Sequence, residues 1–224
     1  SMAPTTALAV KLPSTYDAVY DADNLEAATL FEDGKTYRLT GTGTTPVKIG
    51  AGKHVTIVLD GVTIQSAASP IQVEAGAQLT LIPKNNTENN LTCTSDTVQR
   101  VTDNNAGGLT AGISVPENAT LIIDKDDDGE GTLNVTGGYG GAGIGGAATQ
   151  GYTDVRGAKG TDGGAGSAGA WDVADIKGQA GTKGTGGQGG FYGQSATNAG
   201  TITINAGTVN AIGGQGGAGI GGGR

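Results

Sequence analysis

Glycine is distributed very unevenly along this chain, and its distribution limits what the chain can fold into. Of the 44 glycines, seven lie in residues 1–106 and 37 lie in residues 107–224. Glycine is therefore far above the usual frequency of about 7%. Hydrophobic residues still make up 36% of the chain, so we do not expect a wholly disordered first half. The two halves of the chain follow different building principles.

Short runs of alternating apolar and polar residues recur from Val47 onward. A period of two predicts strands with one buried face. Turn residues such as Asp60-Gly61 separate the runs, and the strands start about seven to nine residues apart without an Asn-Gly hairpin signature. This spacing favours an all-β fold, a right-handed parallel β-helix, over a β-sandwich. The residues predicted to face the core are Val55, Ile57, Leu59, Ile71, Val73, Leu79, Leu81, Leu121, Ile123, Leu133, Val135, Ile202 and Ile204.

One segment near the N-terminus has a different pattern. Leu25, Ala27, Ala28 and Leu30 predict a short helix within residues 24–31. In a solenoid, such a piece usually caps one end.

The chain also contains an internal repeat. Residues 131–146 resemble residues 207–222, and both segments end in the run GGAGIGG. Self-similarity of this kind is the mark of a solenoid. The copies lie 76 residues apart, which is more than one coil requires, so another segment is inserted between them.

That inserted segment has its own glycine period. From Gly157 to Gly169, and again from Gly178 to Gly193, every third residue is glycine. Three residues per turn is the period of a polyproline II helix. Because no proline follows Pro116, we favour polyglycine-II-like helices packed side by side over a collagen-like structure. The alternative is a flexible glycine-rich loop.

These patterns divide the chain into four parts. The predicted parts are an N-terminal cap with the first strand at 1–46, β-helix coils at 47–146, the glycine-triplet insertion at 147–198, and a returning coil at 199–224.

The charge of the chain excludes several kinds of partner. The formal net charge is −8, and no run of lysine or arginine is present, so we expect neither nucleic acid nor an anionic membrane surface to bind. No apolar stretch approaches the roughly 20 residues of a membrane span, so we expect no membrane insertion. Cys93 is the single cysteine and cannot form an internal disulfide.

Residues 69–81 and 111–121, together with the two GGAGIGG runs, resemble a family. This family is the glycine-rich parallel β-helix region of large cell-surface proteins from Gram-positive bacteria, which are labelled adhesin-like or carbohydrate-binding. The resemblance covers residues 36–224. It implies a monomeric module of a larger extracellular, wall-attached or secreted protein that binds carbohydrate or another cell surface. A structural stalk without a ligand is the alternative, and a polysaccharide-degrading enzyme is a minor one.

A short acidic segment, residues 124–130, resembles the first half of a calcium loop. Oxygen donors alternate along it, and glycine stands at the sixth position. Val135 occupies the twelfth position, where an EF-hand has glutamate, so this is not an EF-hand. The predicted ligands of a weak Ca²⁺ site are Asp124, Asp126, Asp128 and Glu130, and the alternative is a solvated acidic turn.

The predicted carbohydrate ligands lie in the insertion. Trp171, the single tryptophan, is followed by Asp172 and Asp175, and Phe191 and Tyr192 end the second glycine run. Aromatic rings beside carboxylates suit stacking on sugar rings. The alternative is that Trp171 packs down and anchors the loop. We predict no catalytic residues.

Overall fold

The computed structural model describes residues 12–95, 110–146 and 198–222. The chain divides into two units, one made of Ser1–Gly151 with Gln194–Arg224 and one made of Tyr152–Gly193. Every described residue belongs to the first unit. The glycine triplets from Gly157 to Gly193 lie outside the described residues.

Nearly all regular structure in the described residues is β, which confirms the all-β prediction. The strands are β1 Ala18–Asp21, β2 Thr36–Gly43, β3 Val47–Ile49, β4 His54–Ser66, β5 Ile71–Val73, β6 Gln78–Pro83, β7 Glu88–Cys93, β8 Ile113–Ser114, β9 Thr120–Ile123, β10 Thr132–Thr136, β11 Ile144–Gly145, β12 Thr201–Ile204, β13 Thr208–Ile212 and β14 Ile220–Gly221. The one helical element among them is a 3₁₀ turn, Ala22–Asn24. No helix in this part of the chain is long and apolar enough to cross a membrane.

The predicted helix at residues 24–31 is therefore wrong. A helix would bring Leu25 and Ala28 onto one buried face. Instead Leu25 and Phe31 are buried, whereas Ala28 is exposed. Phe31 packs edge-on against Tyr37, with ring centroids 5.0 Å apart. Tertiary packing of the aromatic ring thus overrides the local helical pattern.

The named strands pair in parallel and form three ladders. The first ladder runs β1-β2-β4-β6-β9-β12, the second β2-β4-β7-β10-β13, and the third β3-β5-β8-β11-β14. The long strand β4 joins the first two ladders, because its first half pairs with β6 and its second half pairs with β7. The break between the halves lies at Asp60 and Gly61, where the register of β2 against β4 shifts.

The internal repeat forms neighbouring strands. Within the repeat, Leu133 pairs with Val209 and Ile144 pairs with Ile220. The two similar segments therefore stack on each other in register, even though a long insertion separates them in the chain.

The alternation of apolar residues predicts most of the core. Eleven of the thirteen predicted core residues, those from Val55 to Val135, are at most 2% exposed. The prediction is wrong for Ile204, which is 40% exposed, and Ile202 is only partly buried. Both keep the register of the core, since they pair with Ile123 and Leu121. They are exposed because β12 is the last strand of its ladder among the described residues.

One polar side chain occupies the interior. Asn89 is fully buried and bridges three strands. Its Oδ1 accepts hydrogen bonds of 3.0 Å from the backbone N–H groups of Gly61 and Val62. Its Nδ2 donates to the Thr87 hydroxyl and to the Thr132 carbonyl. Asn89 thus satisfies the backbone groups that the break in β4 leaves without a ladder partner.

Glycine allows the two repeated segments to approach closely. The N–H of Gly143 donates to the Ala218 carbonyl at 2.9 Å, and a Cβ at Gly214 or Gly217 would collide with a carbonyl oxygen of the other segment. Glycine also recurs at every third position at Gly213, Gly216, Gly219 and Gly222, and Gly214 and Gly217 lie outside that series. In the two repeat segments, close contact between backbones is therefore not restricted to every third glycine.

We predict that Asn89→Ala destabilises the fold by about 2–4 kcal/mol, because it removes the acceptor of the Gly61 and Val62 N–H groups and the donor to the Thr132 carbonyl. Asn90→Ala is the matched control, since Asn90 is the neighbouring asparagine and points outward. We expect it to cost less than about 1 kcal/mol. Urea unfolding measures both values, and equal effects would contradict the bridging role of Asn89.

Candidate functional site

The outward side of the second ladder carries a continuous row of polar side chains, and all of them except Glu88 are uncharged. Buried Leu133 and Val135 alternate with outward-facing Asn134 along β10, and β4, β7 and β13 follow the same alternation. We call this surface the polar face. It consists of Thr42, Thr63, Gln65, Glu88, Asn90, Thr92, Thr132, Asn134, Thr136, Thr208 and Asn210.

A cleft of about 390 Å³ opens where the polar face meets the 3₁₀ turn. The residues lining it are Ala22, Asp23, Thr42, Gly43, Thr44, Thr45, Thr63 and Gln65. Its volume lies within the range of about 300–1,000 Å³ that is usual for small-molecule sites. Its polar side chains carry hydroxyls, one amide and one carboxylate.

Close contacts hold the 3₁₀ turn against β2. Gly43 packs so tightly on the turn that a Cβ there would collide with the Ala22 carbonyl. The carboxylate of Asp21 caps the turn by accepting a hydrogen bond of 3.0 Å from the Asp23 N–H. Gly41 has a φ of +77°, and a side chain at this position would strike that carboxylate. The wall of the cleft is therefore fixed by the close packing of Gly43 on Ala22 and by the Asp21 cap.

The polar groups in the cleft are available to a ligand. The side chains of Thr42, Thr63 and Gln65 form no hydrogen bond within the part of the chain that the structure describes. Hydroxyl and amide groups both donate and accept hydrogen bonds. This arrangement suits a ligand that itself carries hydroxyl groups.

Three asparagines continue the polar face from strand to strand. Asn134 donates through Nδ2 to Asn90 Oδ1 at 2.9 Å and to Glu88 at 3.0 Å. Asn210 donates to Asn134 Oδ1 at 2.8 Å. Each amide is thus oriented by its neighbour.

An ion cluster stands on the outward side of the first ladder. The Asp60 carboxylate accepts hydrogen bonds from Arg38 Nε at 2.7 Å and from Lys84 Nζ at 3.1 Å. Burial opposes ionisation of Asp60, but the hydrogen bonds from Lys84 and Arg38 outweigh it, so the pKa of this carboxyl is lowered from its ordinary value of 3.8. With the carboxylate occupied by two cations, the cluster stabilises the fold rather than forming a ligand site.

In the acidic turn, two of the predicted ligands, Asp126 and Asp128, converge with Asp127. Oxygens of Asp126, Asp127 and Asp128 lie within 4.8 Å of one another. Asp124, a predicted ligand, instead accepts a hydrogen bond from Asn205. The backbone carbonyl of Glu130 accepts one from the Asn86 N–H.

Asp126 itself has a structural role in this turn. It is only 2% exposed, and its two oxygens accept hydrogen bonds from the N–H groups of Asp128 and Asn85. Its carbonyl also accepts from the Gly129 N–H at 3.2 Å. The donor set therefore fits a hard cation only in part, and calcium binding stays a prediction.

The aromatic site predicted from the sequence lies outside the described residues, which applies to Trp171, Asp172, Asp175, Phe191 and Tyr192. The cleft was not predicted from the sequence. Its one sequence signal is the alternation of Thr63 and Gln65 with buried residues in β4. The approach of Asp23 to these residues depends on the 3₁₀ turn, which no pattern indicated.

The comparisons with known proteins connect the chain to one family. A family model described as "Carbohydrate-binding domain-containing protein" matches residues 26–218. The matched span contains the whole polar face, whereas Asp23 lies just before it. No curated protein and no solved structure matches the chain.

We predict that Asp60 makes the free energy of unfolding depend on pH in the acidic range. Because its pKa is lower in the folded state, its contribution is complete above about pH 4 and is lost as the pH falls through the folded pKa. Asp60→Asn should therefore reduce the free energy of unfolding at neutral pH, and this effect should shrink as the pH falls through the folded pKa. Unfolding in urea across this range measures the difference, and a constant difference would contradict the prediction. The pKa of Asp17 is also lowered. Because Asp17 is present in both proteins, its contribution cancels in the difference between their free energies of unfolding.

We predict weak Ca²⁺ binding at the acidic turn, because incomplete ligation leaves several positions to water. Millimolar CaCl₂ should raise the melting temperature by a few degrees, in line with an affinity near the millimolar range. Asp128→Asn should abolish the increase while keeping the backbone contacts of the turn. No increase in the wild-type protein would leave residues 124–130 as a solvated turn.

Proposed function

The chain belongs to the family of carbohydrate-binding domain-containing proteins, and we propose that it is a non-catalytic extracellular module that binds carbohydrate in the cleft beside the polar face. The observation that carries this proposal is the composition of the cleft. Thr42, Thr63 and Gln65 present hydroxyl and amide groups without partners among the described residues. Sugars are recognised by such groups because each sugar hydroxyl both donates and accepts hydrogen bonds.

The arrangement of the three ladders is a second part of the proposal. We propose that the three parallel ladders are the faces of a right-handed parallel β-helix, with one strand of each ladder in most coils. The in-register pairing of distant segments such as Ile71 with Ile113 supports it. The right hand follows from the general rule for parallel crossovers.

The absence of a catalytic role is also a proposal. Hydrolysis of a glycosidic bond commonly requires two carboxyl groups placed on either side of that bond. Among the described residues of the cleft, Asp23 is the single carboxylate. The ion cluster occupies Asp60, and hydrogen bonds occupy Asp126, so neither carboxylate is a free general base.

We further propose that the module serves attachment to a cell surface or an extracellular polysaccharide. Its membership of a carbohydrate-binding family supports this role. The competing proposal is a structural stalk that has no ligand. Under that proposal the polar face would only keep the surface hydrated.

We predict that the purified protein binds glycans on an array and that Thr42→Val with Thr63→Val weakens binding roughly 5- to 150-fold, because each of the two lost hydrogen bonds is worth about 0.5–1.5 kcal/mol. Valine keeps the shape of threonine. Thr56→Val is the matched control, since Thr56 lies on β4 but belongs to the outward side of the first ladder. It should leave affinity unchanged.

Trp171→Ala separates the cleft from the aromatic site predicted in the insertion. Unchanged affinity in this variant, together with loss in the threonine variants, supports the cleft. Loss confined to Trp171→Ala would overturn the cleft as the binding site. A protein that binds no glycan would favour the stalk.

A further inference from the structure

We infer that the polar face extends the cleft into an elongated site for a neutral, linear polysaccharide that lies along the stacking direction of the strands. This inference rests on the proposed carbohydrate-binding function and names the class of ligand. Its starting observation is a column of five outward side chains, one from each strand of the second ladder. The column is Thr42, Thr63, Asn90, Asn134 and Asn210.

The column has the dimensions of a polymer site. Neighbouring strands lie about 4.8 Å apart, so five strands in register span roughly 19 Å. Thr42 and Thr63 line the cleft, whereas Asn134 and Asn210 lie on β10 and β13 beyond it. A ligand that reaches from the cleft to Asn210 must therefore contain several sugar units.

The three asparagines are held in place and keep free hydrogen-bonding groups. Asn210 donates to Asn134, and Asn134 donates to Asn90. No hydrogen bond within the described part of the chain uses the Nδ2 of Asn90 or the Oδ1 of Asn210. A row that is ordered before binding loses less side-chain entropy when the ligand arrives.

The charge of the surface selects a neutral ligand. Among the described residues of the polar face and the cleft, the charged side chains are Asp23 and Glu88. Neither lysine nor arginine is among them. An acidic polysaccharide would meet carboxylates without a compensating cation, which disfavours binding.

The far end of the face also offers an apolar contact. Ile212 pairs with Thr136 and is 61% exposed. It lies two residues after Asn210 and therefore on the same side of β13. The faces of a sugar ring that carry C–H bonds are apolar. An exposed isoleucine beside polar groups therefore suits the end of a polysaccharide chain.

Calorimetry with neutral oligosaccharides of one to six units, from the glucose, xylose and mannose series, tests the inference. Oligogalacturonate of equal length is the acidic probe. We expect the affinity for one neutral series to rise at least about tenfold with length, and we expect the acidic probe to bind more weakly. Equal affinity at all lengths, or preference for the acidic probe, would overturn the inference.

Two single variants locate the added contacts. Asn134→Ala and Asn210→Ala should each reduce the gain in affinity with length while leaving the binding of the shortest ligand unchanged. Thr80→Ala, on the outward side of the first ladder, is the control. Asn210 lies on the last described strand of its ladder, so its variant remains informative if Asn134→Ala lowers the melting temperature.

The outcomes separate the two proposals. If short glycans bind and the asparagine variants have no effect at any length, the elongated site is refuted and the cleft remains. If no glycan of any length binds, the proposed carbohydrate-binding function fails together with the elongated site.

Discussion

The hydrogen bonds between parallel strands in register are the interaction on which the rest of this structure depends. A backbone buried between two neighbouring strands must satisfy its N–H and C=O groups through them. Each strand therefore repeats the path of the one before it, and equivalent side chains stand above one another. Leu79 and Leu121 are stacked in this way in the interior. Where the path breaks, at Gly61, Asn89 supplies the missing acceptor.

The same register forms the candidate site. A polar residue at one outward position becomes a column when the next strand places another polar residue beside it, as Asn90 and Asn134 do. No loop is needed to assemble such a surface, because the spacing is set by the backbone. The cleft adds a boundary to the column, since the 3₁₀ turn packs against Gly43 and blocks one end. A regular surface and a local irregularity together give the site its shape.

The sequence predicted the parts of the fold that depend on alternation. Leu133 and Val135 were assigned to the core correctly because every second residue of a strand shares a face. Alternation does not report how many strands cover a face, so it misplaced Ile204. It also passed over Asn89, because a polar residue at an inward position is identified only when its partners are known. The helix assigned to residues 24–31 failed for a related reason, since Phe31 packs on Tyr37, which lies on β2 outside that segment.

The candidate site was less predictable than the core. Outward threonines and asparagines are common on strands, and their pattern carries no signal until the register is fixed. The register between β7 and β10, and the placement of Asp23 near Thr63, are both tertiary features. Residues 124–130 were recognised as an acidic turn, but which carboxylates converge depended on Asn205 and Asn85, far away in the chain.

The ladders keep their register while the connections between them vary. His54, Gln78, Thr120 and Thr201 stand side by side in consecutive strands of the first ladder, yet the chain between successive members becomes longer at each step. The fold thus separates two kinds of evolutionary change. Gain or loss of residues within a strand would shift a whole column from the interior to the surface, whereas a connection can acquire an entire new segment without disturbing the columns. A protein built in this way can diversify by insertion at its edges while its scaffold stays the same.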